Sequence, residues 1–438
     1  MCDTMYAGRA ACAGSLAWFA KNSDRHPEEP QALCLVGRRA PASSTRVGGR
    51  ELPFPDRGLA FALSKPSWME GGEMGVNERG LAIGNEAVFS RFKAARDGVL
   101  GMDILRAALG SCGGALEAVQ AICDFTEGAD QGGNGAFKGS LVYCNSYIVA
   151  DPREAFVLET AGRRWAWRAI GDVAAISNAY SIELDYKRLD AQTRKEIAPV
   201  NERAACSDEA DPGRKGEKES WRAHVEDRFK LRFTRGDERR AAVESALGAA
   251  RGSVGLETML GILRSHGGFD PARPPRNHMA SVCMHAGGFL PNASTASMAL
   301  AYLPAEANGA GGETGAGRAI LWFTGTSCPC LSIYKPMLLA GGEFLPLWSG
   351  YDHTEGSKAA YGYWERQRAW IREARAGSLA HDPEFTRRRD EAQGRLAAAA
   401  AKALEGGRVE ETRRDVDDIV KEWEEGLEAY RRPSSGRV

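Results

Sequence analysis

A chain of 438 residues is long enough for one large domain or two ordinary ones. Hydrophobic residues at 43% and charged residues at 26% are ordinary globular usage and exclude wholesale disorder. Lys+Arg total 57 against Asp+Glu 58, and the net charge of -1, with no basic stripe interleaved with aromatics, excludes a polycation built for nucleic acid.

In chain order, Thr4–Ala7 and Leu16–Ala20 read as strands flanking Gly14, an early hairpin. Gly80–Asn85 (GLAIGN) reads as a short buried strand bracketed by glycines. Apolar residues at three- and four-residue spacing predict helices over Met102–Leu109 and Ala115–Asp124. A second set of strands follows at Ser146–Ala150, Ala155–Glu159, Arg164–Arg168 and Val173–Ser177, with Asp151-Pro152-Arg153-Glu154 turning between the first two. Residues 190–240 are dense in charge, with Asp211-Pro212-Gly213 in the middle. They read as a solvated insertion with some helix, because the basic residues alternate with acidic ones. Ala296–Leu303 and Ala319–Thr324 read as strands joined by a loop containing Gly309–Gly317. That loop has no following Lys-Ser/Thr pair and precedes a strand, so it is a hairpin loop rather than a phosphate cradle. From Lys358 the chain reads as helical, with apolar faces marked by Tyr363, Trp370 and Ile371 and by Val416, Ile419, Val420, Trp423 and Leu427. The coarse division is therefore a domain over 1–357 and a helical C-terminal extension over 358–438.

Ten cysteines lie at 2, 12, 34, 112, 123, 144, 206, 283, 328 and 330, without zinc-type CxxC pairs. A chain of this size needs no disulfide staples, so the spread suggests reduced thiols in a reducing compartment. The first twenty residues carry Asp3 and Arg9 and lack the basic and apolar regions of a signal peptide. No uncharged apolar run reaches the roughly 18 residues of a membrane span. A cytoplasmic protein is expected.

Cys2 stands directly behind Met1. Removal of the methionine would leave thiol and α-amine on one residue, with ordinary pKa values of about 8.5 and about 7.7–8.0. The amine can then accept the thiol proton near neutral pH, so one residue supplies nucleophile and base.

The sequence carries MCDT at its start, KNSDR at Lys21–Arg25, EMGVNERGLAIGNEAV at Glu73–Val88, and GMD at Gly101–Asp103. NSYIVAD follows at Asn145–Asp151, LETAGRRWAWR at Leu158–Arg168, ISNAYSI at Ile176–Ile182, SVCMHAGG at Ser281–Gly288, STASM at Ser294–Met298 and YKP at Tyr334–Pro336. In these motifs and their order the chain resembles the secernins, within the wider dipeptidase family of N-terminal-nucleophile cysteine hydrolases. The resemblance spans nearly the whole chain and is weakest in the charged insertion and the glycine-rich loop. It implies an α+β fold, the four-layer αββα sandwich of N-terminal-nucleophile hydrolases, in which the N-terminus lies on a central strand.

The resemblance also implies the site. Cys2 is the nucleophile, and Asp24 looks like the acidic residue that holds the new amino terminus. Lys21 stands where bile-salt hydrolase and penicillin acylase cousins have an arginine. It keeps the cation that favours a thiolate but loses the bidentate fork; read alone, it is a surface lysine after a strand. Asn85 aligns with the oxyanion-hole asparagine, and Asn178 with a second asparagine beside the nucleophile. Read alone, either asparagine would cap a turn.

On a strand Cys283 and His285 would share one side, but this chemistry needs no imidazole, so a core or pocket histidine is expected. Cys328-Pro329-Cys330 lacks partner ligands at metal spacing, and Cys12 and Cys34 suit the core. Trp68, Trp165 and Trp167 fit a pocket wall or plain burial equally well. No HExxH or His–Asp cluster occurs, so neither metal nor cofactor is expected. The expected activity is thiol-dependent hydrolysis of C–N bonds in dipeptides or similar small amides. The alternatives are an N-acyl amide hydrolase or acyltransferase, and a secernin-like non-enzymatic protein linked to secretion. The expected partner is a small peptide or amide, with no nucleic acid and no membrane; a homo-oligomer is compatible with the sequence.

Overall fold

Strand β1 (Cys2–Ala7) sends Cys2, Thr4 and Tyr6 to one face and Asp3, Met5 and Ala7 to the other, yet all six are buried. A strand buried on both faces belongs in the middle of a layered structure. In the computed structural model, which describes residues 1–14, 17–197, 219–267, 279–286, 291–304, 318–374, 379–406 and 408–431, β1 lies in that position.

One antiparallel sheet runs in the order β12 (Val173–Ile176), β1, β2 (Ala17–Arg25), β14 (Ala293–Tyr302), β15 (Ala319–Phe323), β16 (Lys335–Ala340) and β17 (Glu343–Pro346). The other runs β13 (Arg188–Leu189), β11 (Arg164–Ala169), β10 (Ala155–Ala161), β9 (Cys144–Ala150), β8 (Ala82–Val88), β7 (Met74–Asn77), β6 (Phe61–Pro66) and β3 (Gln31–Val36). A small hairpin, β4 (Thr45–Val47) and β5 (Arg50–Leu52), stands apart.

The sheets face each other across a shared core to which Phe19, Leu300 and Leu321 come from the first sheet and Ala62, Val76 and Ile148 from the second. Helices α1 (Gly101–Ser111) and α2 (Ala115–Gly128) cover the second sheet, packing Leu105, Val119 and Ile122 against Ile83, Val149 and Leu158. Short helices α3 (Ala191–Ile197), α4 (Trp221–Val225) and α5 (Arg228–Leu231) lead into α6 (Gly236–Ala249) and α7 (Leu256–Leu263), which cover the first sheet. The chain then ends in α8 (Lys358–Glu373), α9 (Pro383–Leu404) and α10 (Val409–Leu427). Leu396 of α9 and Val416 of α10 join the same core as β16. The layers run α, β, β, α, the α+β sandwich expected from the sequence. Among the described residues no helix is long and apolar enough to cross a membrane.

Most expected elements are present with small shifts. The strand expected at Gly80–Asn85 begins at Ala82, because Gly80, at φ 86, makes the preceding turn. Strands β3, β6 and β7 were not anticipated; both faces of each are covered, so their sequences carry no polar alternation to read. The charged stretch at 190–240 is not uniformly solvated: Trp221 and Arg239 are fully buried, although residues 198–218 lie outside the described residues. Gly309–Gly317 and the turn Asp211-Pro212-Gly213 lie outside them as well.

The separation of the two sheets is set locally by Gly84. A Cβ there would come within 2.9 Å of Lys21 Cδ and 3.0 Å of both Phe19 and Thr4 across the interface. Gly84→Ala should therefore destabilise the fold by about 1–3 kcal/mol through overpacking, read as a lower urea midpoint. An unchanged midpoint would show that the sheets part freely here.

Candidate active site

Register pairs Cys2 of β1 with Ser23 of β2, which brings the Asp24 backbone N–H to 3.4 Å from Cys2 Sγ. The Met1 ammonium donates to the carbonyl oxygen of the same residue. On the other side of β1, the chain leaving β12 carries Asn178, and the Cys2 N–H donates to its Oδ1 at 2.9 Å. Asn178 Nδ2 donates to Ala87 O at 2.9 Å, which fixes the amide with its oxygen toward Cys2.

Arg239 of α6 completes this arrangement. Its guanidinium donates to Asp3 Oδ1 and Oδ2 at 3.0 Å each, to Ser177 Oγ at 2.9 Å and to Asn178 Oδ1 at 2.7 Å. With no exposed surface, it is a cation held by Asp3, Ser177 and Asn178 around the Cys2 strand and by the Thr234 and Met279 carbonyls. Sequence reading missed it because it sits in the stretch assigned to solvent.

Lys21 is fully buried, which removes the surface-lysine alternative. Its Nζ donates to Asn85 O at 2.8 Å and Glu86 Oε2 at 2.9 Å, and stands 3.9 Å from Glu73 Oε2. Glu73 Oε2 in turn lies 3.6 Å from Cys2 Sγ, and Arg25 binds Glu73 Oε1 at 2.6 Å. Burial disfavours the ammonium, but Cys2, Glu86 and Glu73 outweigh it and hold Lys21 above its ordinary pKa. Burial pushes the Cys2 thiol up to about 12; Lys21 and the amino terminus oppose this, while Glu73 and Glu86 add to it. Glu73 and Arg25 both lie in motifs singled out in the sequence, but no role attached to either.

Asp24 accepts a hydrogen bond from Ser294 Oγ at 2.5 Å, and its Oδ2 is buried with no partner. Burial, with a contribution from Asp3, raises its carboxyl to about 7. Asn85 shares the cavity wall with Cys2, but alternation along β8 turns Glu86 toward the facing sheet and the Asn85 side chain toward α1. Its Nδ2 donates to Asn145 Oδ1 at 3.3 Å and lies 3.4 Å from Met102 Sδ, leaving Oδ1 without a partner. Of the five expected site residues, Cys2, Asp24 and Asn178 are linked by direct bonds at β1. Lys21 stands behind them, and Asn85 joins through its backbone.

Cys2, Asp24, Asn85 and Asn178, but not Lys21, line a cavity of about 460 Å³ with an apolar wall that includes Phe89, Tyr143, Phe229 and Phe233. Trp68 instead donates to Glu29 Oε1 at 2.7 Å, Trp165 donates to Glu127, and Trp167 lies in the core under α2. The nine described cysteines are buried, and none of them is in a disulfide among the described residues. Cys330 does not lack partner ligands as its spacing suggested: it lies beside Cys283, His285 and His266, which the fold brings in from distant segments.

The family model for acyl-coenzyme A:6-aminopenicillanic acid acyl-transferase matches residues 12–175. A mutant conjugated bile acid hydrolase from Clostridium perfringens is similar at 12% identity and a TM-score of 0.41, covering 81% of this chain and 98% of that one. A penicillin V acylase from Agrobacterium tumefaciens is similar at 12% identity and a TM-score of 0.42, covering 79% of this chain and 92% of that one.

Two measurements check the electrostatics. Arg239→Met leaves Asp3 buried without its cation and should cost about 3–5 kcal/mol in urea unfolding; Arg239→Lys should recover part of it. The folded chain holds a proton on Asp24 up to about pH 7, whereas an ordinary aspartate releases it near 3.8. Stability should therefore fall as pH rises through that window, and Asp24→Asn should flatten the fall in the urea midpoint between about pH 4 and 7. Parallel slopes for the two proteins would count against a raised Asp24.

Proposed function

We propose that the chain is a thiol-dependent amide hydrolase in which Cys2, exposed by removal of Met1, is both nucleophile and base, and that its substrates are N-acyl amides with compact apolar acyl groups. The observation that carries this reading is the setting of Cys2. Its nitrogen is anchored on Asn178 and its sulfur is met by the Asp24 N–H at the wall of a cavity partly lined by Phe89, Tyr143, Phe229 and Phe233.

After loss of Met1, the nitrogen bonded to Asn178 is the free α-amine. With the thiol held protonated by burial, proton transfer to that amine accompanies attack of sulfur on the substrate carbonyl. Lys21 remains cationic and offsets charge developing on the sulfur. The tetrahedral intermediate collapses as the Cys2 ammonium gives its proton to the leaving nitrogen, and the C–N bond breaks. Water, deprotonated by the same amine, then opens the thioester and releases the acid. Asn85 serves the oxyanion in this scheme when its amide turns from Asn145 to present Nδ2 to the cavity. The unpartnered Asp24 Oδ2 is placed to accept from the new ammonium.

The family-model match to an acyl-transferase supports acyl chemistry. So does the charge balance of the cavity: Glu73 and Glu29 are both engaged by Arg25, which leaves neither carboxylate for the free ammonium of a dipeptide. The resemblance to dipeptidases keeps dipeptides as the competing substrate class.

Intact mass should show active molecules without Met1, and Cys2→Ala should abolish turnover while Cys12→Ala leaves it. In a panel of phenylacetylated or hexanoylated amino acids against free dipeptides, the acylated compounds should turn over faster. Preference for dipeptides would move the assignment to peptidase, and activity with Met1 retained would remove the amine base and the mechanism with it.

A further inference from the structure

Far from the Cys2 cavity in sequence, four side chains converge. His266 follows the end of α7, Cys283 and His285 lie in the segment before β14, and Cys330 sits in the single 3-10 turn Pro329–Leu331 after β15. Their ligand atoms all lie within 4.8 Å of one another, and all four residues are buried. His285 Nε2 is 3.0 Å from His266 Nε2, 3.1 Å from Cys330 Sγ and 3.7 Å from Cys283 Sγ.

Hydrogen bonding alone does not account for this meeting. A ring nitrogen carries one proton or one lone pair, so His285 Nε2 can serve one of its three neighbours. A cation at the centre uses one lone pair from each of the four. Bonds of about 2.0–2.1 Å to nitrogen and about 2.3 Å to sulfur give tetrahedral edges of about 3.3 Å for N–N, about 3.5 Å for N–S and about 3.8 Å for S–S. The three separations at His285 Nε2 fall around these edges, and the remaining pairs lie within 4.8 Å. We propose that His266, Cys283, His285 and Cys330 form a structural Cys₂His₂ site for a divalent cation of the zinc class. Two thiolates and two neutral imidazoles cancel the ion's charge, and the S₂N₂ donor set selects a tetrahedral, thiophilic metal.

The surroundings fit a closed structural site. Cys328 Sγ lies 4.0 Å from His285 Nδ1, on the ring nitrogen that faces away from the cluster, where it can orient the ring. Ser281 Oγ donates to His266 O, Cys283 N donates to Ser265 O, and Arg389 of α9 donates to Cys330 O at 2.6 Å. Leu331, Trp370, Phe385 and Leu427 make an apolar shell. The metal would join the end of α7, the approach to β14 and the turn after β15, with α9 bonded to that turn. It also braces the Cys2 site without touching it. Met284, between two ligands, donates to Ser294 Oγ, the hydroxyl that donates to Asp24.

The test uses the full chain expressed without added metal, and can be run on Cys2→Ala protein so that it does not depend on the proposed hydrolysis. Elemental analysis should find about one zinc per chain. Exchange to Co²⁺ should give the visible bands of a tetrahedral ion together with thiolate charge transfer. Cys330→Ser should lose the zinc, whereas Cys328→Ser should keep it. Should Cys330→Ser fail to fold, the cobalt spectrum of the parent chain decides alone. Protein that neither contains zinc nor binds added Zn²⁺ or Co²⁺ overturns the proposal, as does a mass two hydrogens lower that maps to a Cys283–Cys330 disulfide.

Discussion

A lysine ammonium with no exposed surface lies between two sheets, and the rest of the site is arranged around it. Such a charge persists in a core only when acceptors replace its water. Glu86 and the Asn85 carbonyl do this directly, and Thr4 donates a short hydrogen bond to Glu86 from the strand that carries Cys2. Gly84 leaves room for the lysine stem. Glu73 links the same cation to Arg25 and to the Cys2 sulfur. One buried cation thus explains why the facing strand carries glycine at 84 and glutamate at 86 within a largely apolar element.

Arg239 is the second organising cation, on the opposite face of the first sheet. Asp3 points toward it because Cys2 and Thr4 point toward Lys21; the alternation of a single strand assigns one cation to each face. The Cys2 nitrogen meets the arginine through Asn178, and the sulfur meets the lysine field through Glu73. A substitution on either face is therefore felt at Cys2 through different atoms of that one residue.

The layers and the clustering of Cys2, Lys21, Asp24 and Asn178 near one strand end were legible because each sits in a short motif whose order along the chain carries information. Arg239 was not, since a charged run looks solvated until a partner as distant as Asp3 is known. The His266–Cys330 cluster was invisible for the same reason: its ligands come from three segments separated by long connections, and spacing rules read only neighbours. Asn85 was found at the cavity, but the direction of its side chain followed from β8, which begins two residues after the start that composition suggested.

The bonds that enclose Cys2 join residue 3 to 239 and residue 24 to 294. At synthesis rates of about 5–20 residues per second, the ribosome needs roughly 15–60 s to deliver the last of these partners. Until residue 239 is made Asp3 lacks its arginine, and until β14 is made the first sheet lacks the strand that pairs with β2. The surroundings of Cys2 are therefore complete only when most of the sandwich has been made.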